Sequence, residues 1–369
     1  MKVAFIRARQ ELFNSGRREQ RALRRAGPEE REPAQPNSGA KLIFLELQRR
    51  GIVSSCESWQ FWALPTQVIS VPGTLPLRIF SSDEKGFSAD FARHVKANGP
   101  PDIIFVSGHH FPPNMAQIFE LCHGSLKIVY SKDWEPWEIE RLDLYDLCLV
   151  DESWQITKVH RRQPGVRCAV WDKLIDYESA HVPTRSDKAY DVCYVAHLRK
   201  RKNHELLFRS LARLRGRSLT CVCVGADRAG RRAELERMAA ELGIAVDFAG
   251  KVGKAEVNRY VNQSRIGVMC AERDGAPRVV LEYMAADVPV LVNRELMAGT
   301  RYVGRSAGLV RPPEEFHLGI AEILDNYESF SPRRHLLAHY GRDQVVARFL
   351  SILEEAGVDI TKREDVLTP

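Results

Sequence analysis

The sequence predicts an α/β protein of two domains, each built on a parallel sheet. Three observations carry this. Short continuous apolar runs, at 103–106, 266–270 and 288–292 among others, suit strands buried on both faces. Stretches long enough for helices separate them, as strand–helix–strand crossovers require. The chain has 369 residues, more than one ordinary core holds.

Hydrophobic residues at 44% and charged residues at 28% are a soluble globular balance. A net charge of +6 is mild and singles out neither an anionic substrate, a membrane surface nor nucleic acid. No run approaches the roughly 20 apolar residues of a membrane span. The start, MKVAFIRARQ, enters a strand-like run without the apolar core of a signal peptide. A cytoplasmic location is expected, with peripheral membrane contact left open. Eight cysteines are scattered without a C-x-x-C pair, so neither a disulfide framework nor a structural zinc site is expected.

The chain is organised around 264–293, SRIGVMCAERDGAPRVVLEYMAADVPVLVN. Two apolar runs flank a helix-length segment that begins after Pro277, where a missing N–H costs nothing. The loop Glu272-Arg273-Asp274-Gly275-Ala276 then lies at the carboxyl end of a strand and the amino end of a helix. The first N–H groups of a helix lack internal partners and favour an anion such as phosphate. Gly275 and Ala276 leave room for a ligand to approach the backbone. Glu282 lies five residues past Pro277, roughly 7–8 Å up the axis, within reach of ribose hydroxyls. An ordinary surface loop with a solvated glutamate has the same outline.

The segment DGAPRVVLEYMAADVPVLV resembles the signature of retaining GT-B glycosyltransferases of family 4, the glycosyl transferases group 1. That pattern reads E-G-x-P-R-V-V-L-E-A-M-A-C-G-x-P-V-V. Asp274 and Glu282 take its two acidic positions, seven residues between them, and Asp287 takes the place of the glycine after the helix. The resemblance implies two Rossmann-like domains facing across a cleft, with Glu282 on the nucleotide's ribose, Asp274 near the donor sugar, and Glu272 as a spare carboxylate.

In chain order, 2–6 is a first strand. Residues 7–37 are rich in Arg, Glu, Gln and Pro and form a mobile insertion or an acceptor-side lid. Gly39 opens a helix and matches a glycine of the family's G-G-A-E-R turn, with Asn37 and Ser38 as N-caps. Residues 68–80 are short apolar pieces cut by prolines, and 88–97 are helical. The strand at 102–106 ends in Ser107-Gly108-His109-His110, where open α/β sheets place ligand groups. After the strand at 126–130, Asp133 resembles a family aspartate. Trp134 and Trp137 either line a sugar site by stacking or cover the sheet edge. Residues 173–189 form a polar linker.

A new sheet opens at 190–195. The turn AHLRKRKNH that follows resembles the family's G-R-L-x-x-x-K-G, whose arginine and lysine clamp the donor diphosphate. Lys202 matches the lysine, His197 replaces the arginine, and Arg199 or Arg201 supplies the missing charge. Helices are expected at 205–214, 231–242, 255–264, 314–328 and 332–356, and strands at 219–224 and 246–250. Gly225 closes a strand, and Val252 follows a segment like the family's F-x-G. The resemblance is close over 187–315 and covers the first half only in outline.

The resemblance makes His109, His110 and Asp274 the candidate catalytic residues. Gly39, His197, Arg199, Arg201, Lys202, Gly225, Val252, Gly275, Ala276, Pro277, Arg278 and Glu282 are the donor-binding set. The expected domains are 1–175, 176–345 and a C-terminal helix end and tail at 346–369, with packing back on the first domain left open. The expected partners are a nucleotide sugar (UDP or GDP) and a glycan, lipid or small natural-product acceptor, with no cofactor and no nucleic acid. No D-x-D motif occurs, and metal independence is expected. A sugar-nucleotide epimerase of the same fold and an inactive glycosyltransferase-like binding subunit are the alternatives.

Overall fold

The computed structural model describes residues 1–8, 39–62, 64–70, 73–83, 86–131, 134–227 and 230–360. Nearly all of the 7–37 insertion, Asn37, Ser38 and Asp133 lie outside the described residues. The chain divides into two compact units, residues 1–174 with 345–369, and residues 175–344.

The first unit holds β1 (Lys2–Arg7), β2 (Ser55–Trp62), β3 (Gln67–Ile69), β4 (Leu77–Ser81), β5 (Ile103–Ser107), β6 (Leu126–Tyr130), β7 (Leu147–Val150) and β8 (Arg167–Val170). Their order is β3-β4-β2-β1-β5-β6-β7-β8, parallel except for β3 against β4. Helices α1 (Ala40–Arg49), α2 (Ala89–Asn98), α3 (Pro113–Leu121) and α4 (Ser153–Arg162) connect them. Every residue of β5 is buried, as its unbroken apolar run requires. Gly39, at φ 66, is itself the cap position of α1, and the expected caps Asn37 and Ser38 lie outside the described residues.

The second unit holds β9 (Tyr190–Val195), β10 (Thr220–Val224), β11 (Ala245–Gly250), β12 (Ser264–Met269), β13 (Val290–Asn293) and β14 (Gly308–Arg311). All are parallel, in the order β11-β10-β9-β12-β13-β14. Its helices are α5 (His204–Arg213), α6 (Arg232–Leu242), α7 (Lys254–Asn262), α8 (Arg278–Ala285), α9 (Phe316–Asp325) and α10 (Pro332–Tyr340). Helix α11 (Arg342–Glu355) enters the first unit at Val345, where Phe349 meets Phe44 edge-on at 5.7 Å.

Three expectations need correction. The expected helix at 332–356 is two, broken at Gly341, whose ψ of 169 leaves the helical region. A glycine there already costs a helix about 1 kcal/mol. The helix expected to reach Ser264 stops at Asn262, and Ser264 begins β12 with its hydroxyl donated to the Tyr260 carbonyl. The polar linker at 173–189 is polar only in part: Leu174, Ile175, Tyr177 and His181 are buried, and Lys173 pairs with buried Asp151 at 3.2 Å. Apolar side chains at 174, 175 and 177 tie the segment into its surroundings. Among the described residues no helix is long and apolar enough to cross a membrane.

Candidate functional site

In the second unit the strand order reverses between β9 and β12. Loops leaving two adjacent parallel strands there diverge to opposite faces and open a crevice at their carboxyl ends. The loop after β9 carries Ala196 to Asn203, and the loop after β12 carries Cys270 to Pro277. Both candidate phosphate-binding segments therefore meet at the one place where the sheet's topology makes room.

Their side chains bond across the crevice. The Lys202 ammonium donates to the Asp274 carboxylate, and Arg201 lies 3.9 Å from its other oxygen. Asn203 donates to Glu272 at 3.4 Å. Asn203 is left-handed at φ 50, where the family pattern has glycine, and its side chain accepts from the Leu206 N–H to cap α5. Asparagine is one of the few residues that adopts this conformation cheaply. The buried Tyr194 hydroxyl donates to the Lys202 carbonyl at 2.6 Å, which holds the turn below the lysine.

The second loop is shaped by its neighbours. Ala276 sits at φ 33, an uncommon value for a residue with a Cβ, and is 1% exposed. A Cβ on Gly299 would stand 3.2 Å from the Ala276 Cα and 3.0 Å from the Pro277 ring, so Gly299 makes the space for this turn. Pro277, at φ −64, is the cap residue of α8 and leads straight into Arg278. Strain of this kind clusters where a loop must present its backbone to a ligand. Ala276 is thus an interior part of the loop, while Gly275 and Asp274 keep partial exposure.

Helix α8 is fixed at both ends. At its C-terminus Asp287 stands left-handed at φ 59, the Val288 N–H reaches the Tyr283 carbonyl at 3.0 Å, and the Asp287 N–H reaches Met284 at 3.0 Å. This is a Schellman closure, which usually takes glycine. Asp287 offsets the missing glycine by accepting the Arg333 N–H at 3.0 Å, while the Arg333 guanidinium caps the Ala285 carbonyl. In its middle, fully buried Tyr283 packs where a Cβ on Gly267 would overlap its ring. The Tyr283 hydroxyl accepts the Val195 N–H at 2.7 Å and lies 3.3 Å from the Cys193 carbonyl. Tyr283 thereby ties α8 to the end of β9, one residue past Glu282.

Glu282 keeps 18% of its side chain exposed and lies 3.7 Å from the His181 Nε2. Burial pulls the His181 pKa below the usual imidazole value, against the opposing pull of Glu282. A helix end and two cations gathered at one crevice can oppose the charge of an anion. Residues 177–344, nearly the whole unit, match the family described as Glycosyl transferases group 1. The second unit is a group 1 glycosyltransferase domain.

The fold of the whole chain agrees. Sucrose-phosphate synthase from Thermosynechococcus elongatus superposes with a TM-score of 0.65 at 12% identity, over 96% of this chain and 98% of that one. Anabaena HepE gives 0.66 at 13% identity, over 96% and 100%. The lipopolysaccharide galactosyltransferase WaaB gives 0.63 at 14%, over 96% and 99%. At such identities these likenesses concern architecture alone, and the architecture is GT-B, with two Rossmann-like domains. No curated protein matches by sequence.

The expected catalytic and donor-binding residues are spread over both units. Arg201, Lys202, Asp274, Gly275, Ala276, Pro277, Arg278 and Glu282 gather on the two crevice loops and α8. His197 and Arg199 lie on the first of these loops, and the Arg199 N–H donates to the His197 carbonyl at 2.8 Å. Gly225 has a packing reason of its own: a Cβ there would overlap the Ala196 carbonyl. Val252 follows β11, two strands from the reversal. Gly39, His109 and His110 belong to the first unit. There the His109 Nε2 contacts the Ser131 hydroxyl, and His110 lies 3.1 Å from Glu140. The Phe111 N–H and His110 together hold the Glu140 carboxyl below its usual pKa.

Sequence reasoning missed three residues. His181 lies in the segment read as linker and carries no local signal. Tyr283 stands where the family pattern has alanine, and a glycine inside strand β12 was the available clue. His204 is 0% exposed, neither ring nitrogen has a partner among the described residues, and its ring packs 4.7 Å from Tyr194. Burial pushes its pKa down to about 4.

Proposed function

We propose that the protein moves a hexose-like group from a nucleoside-diphosphate sugar, with UDP or GDP as carrier, to a glycan, lipid or small natural-product acceptor, retaining the anomeric configuration. The observation that carries this is the meeting of Lys202 and Arg201 with Asp274 on the loop that leads into α8, with Glu282 farther along that helix. When the anomeric carbon–oxygen bond breaks, its electron pair passes to the diphosphate. The amides at the start of α8, together with Lys202 and Arg201 once released from Asp274, oppose that charge. Glu282 accepts from the ribose hydroxyls.

In the free protein Asp274 already occupies the cations. A diphosphate must therefore compete with this carboxylate for Lys202, and Asp274 is left facing the donor sugar. The chemistry asks for no metal, so turnover is expected to survive chelation. HepE was solved with UDP, and the pneumococcal O-GlcNAc transferase GtfA with UDP and GlcNAc, which makes UDP the first nucleotide to try.

The test is Glu282→Ala. Hydrogen bonds to a charged group contribute about 1.5–3 kcal/mol, so nucleotide affinity should fall about 10- to 100-fold and turnover should vanish. Unchanged affinity would remove Glu282 from the nucleotide site. The nucleotide itself is found by thermal shift against UDP, GDP, ADP and TDP, since a ligand at 100 times its Kd adds about 2.7 kcal/mol of stability.

A further inference from the structure

Three tryptophans meet in the first unit, at the carboxyl ends of β6 and β7. Trp134 follows β6, Trp137 lies on the short turn Pro136–Glu138, and Trp154 is in the first turn of α4. Ring centroids are 5.8 Å apart from Trp134 to Trp137 and again from Trp137 to Trp154, with planes inclined at 79° and 60°. All three remain partly exposed, whereas Trp171 of the same unit is fully buried. Carboxyl ends of parallel strands are where open α/β sheets place ligands.

The ledge is preformed. Gln155, 1% exposed, donates its amide to the Trp134 carbonyl at 2.9 Å. Its carbonyl oxygen accepts from the Asp151 and Glu152 N–H groups, both at 2.8 Å. One buried side chain thus holds the loop bearing Trp134 and the start of the helix bearing Trp154. Lys158 lies 5.8 Å from the Trp137 ring centre.

The neighbouring charge selects the occupant. Glu135, Glu138 and Glu152 adjoin the tryptophans in sequence, against Lys158 and Arg162, and Arg162 is already paired with Glu138 at 3.1 Å. Pairing leaves no surplus of cations: Arg162 is taken by Glu138, Glu152 is held in the capping box of α4 and Lys158 lies against Trp137, so the rim does not attract an anionic lipid surface or a nucleic-acid backbone. It suits hydroxyl groups, which both donate to carboxylates and accept from ammonium. Inclined indole faces suit the C–H face of a pyranose ring, an apolar surface edged by polar groups.

We infer that the Trp134–Trp137–Trp154 ledge binds a neutral oligosaccharide, and that the acceptor is therefore a glycan. The second clause rests on the glycosyl-transfer reading above; the binding does not. The test uses the full chain on an array of neutral and acidic oligosaccharides, followed by tryptophan-fluorescence titration of each hit. UDP binding and sedimentation with phosphatidylglycerol vesicles are measured in parallel. The wild type should bind at least one neutral oligosaccharide. Trp137→Ala and Trp154→Ala should each weaken it tenfold or more, with Trp137→Phe in between and UDP affinity within twofold of wild type. Should Trp137→Ala fail to fold, the Phe and Trp154 variants carry the test. Absence of any neutral hit, binding unmoved by these variants, or tryptophan-dependent vesicle binding without glycan binding would each overturn the inference. Loss of UDP binding alongside intact glycan binding would sink the donor reading and leave the ledge standing.

Discussion

The two sheets present different chemistry at their carboxyl ends. In the second unit the crevice loops carry Arg201, Lys202, Asp274 and Gly275, and the second of them leads into the amino end of α8. In the first unit the corresponding loops carry His109, His110, Trp134 and Trp154, bonded or stacked among Ser131, Glu140 and Trp137. Both ends are built on parallel strands of similar length. Small and charged residues let an anion reach the backbone, whereas aromatic rings offer faces to an uncharged ligand. The architecture supplies a place to bind, and the loop residues choose what binds.

The sharpest way to break that contrast is to loosen the second unit's crevice from beneath. Tyr283→Ala installs the residue of the family pattern, yet it empties a fully buried site and orphans the Val195 N–H. Large-to-Ala changes in a core cost about 3–5 kcal/mol. Thermal unfolding should show that loss, with Tyr283→Phe costing only the ~1–3 kcal/mol of the orphaned N–H. Adding Gly267→Ala to Tyr283→Ala should restore part of it, because the methyl enters space the ring vacated. A double mutant no better than the single one would disprove the pairing.

Acid should also strike the second unit. His204 is held neutral with a pKa of about 4, below the usual imidazole value of 6.5. The unfolded chain therefore binds the proton more readily, so stability is full above pH 6.5 and drains away as pH falls toward 4. The contribution is up to ~3 kcal/mol at about 1.36 kcal/mol per unit. Denaturant melts at pH 7 and pH 4.5 measure it, and His204→Leu should shrink the difference between them by most of that amount. An undiminished difference would mean that His204 is not the group responsible.

Charge exchange at the crevice gives a smaller and more specific effect. Lys202→Ala should weaken nucleoside-diphosphate binding about 10- to 100-fold by calorimetry, the range for a charge-assisted hydrogen bond. Asp274→Asn should do the reverse, tightening diphosphate binding severalfold while turnover falls, because the carboxylate no longer competes for Lys202. Neither variant should alter glycan binding at the tryptophan ledge. The mildest test is Asp287→Ala, which keeps the left-handed backbone and removes the bond from Arg333. It should cost about 1–2 kcal/mol in the same melts.

How far the sequence could be read follows from how local each signal is. The β12–α8–β13 unit was legible because two unbroken apolar runs and Pro277 state strand, helix start and strand within thirty residues or so. Strand β2 was not, since SCESWQFW interleaves polar residues with aromatic ones and carries neither strand signature cleanly. At the candidate site, Asp274, Lys202 and Glu282 stood out by spacing against a family pattern. His181 did not, because the neighbour that marks it, Glu282, is 101 positions away in the chain. Gly225, read as a donor-binding glycine, also has a backbone reason that the sequence did not show, the close approach of Ala196.

By itself the sequence determined the class of fold, most of the order of strands and helices in the second unit, and the charged loops after β9 and β12. Those follow from hydrophobic period, proline and glycine placement and short spacings, all of which act between near neighbours. Only the tertiary structure decided that Lys202 closes on Asp274, that Tyr283 fits against Gly267, and that three tryptophans share one ledge. Each of these joins residues from separate elements. Their contact depends on the order in which strands pair, a consequence of packing the whole sheet and not of any one segment.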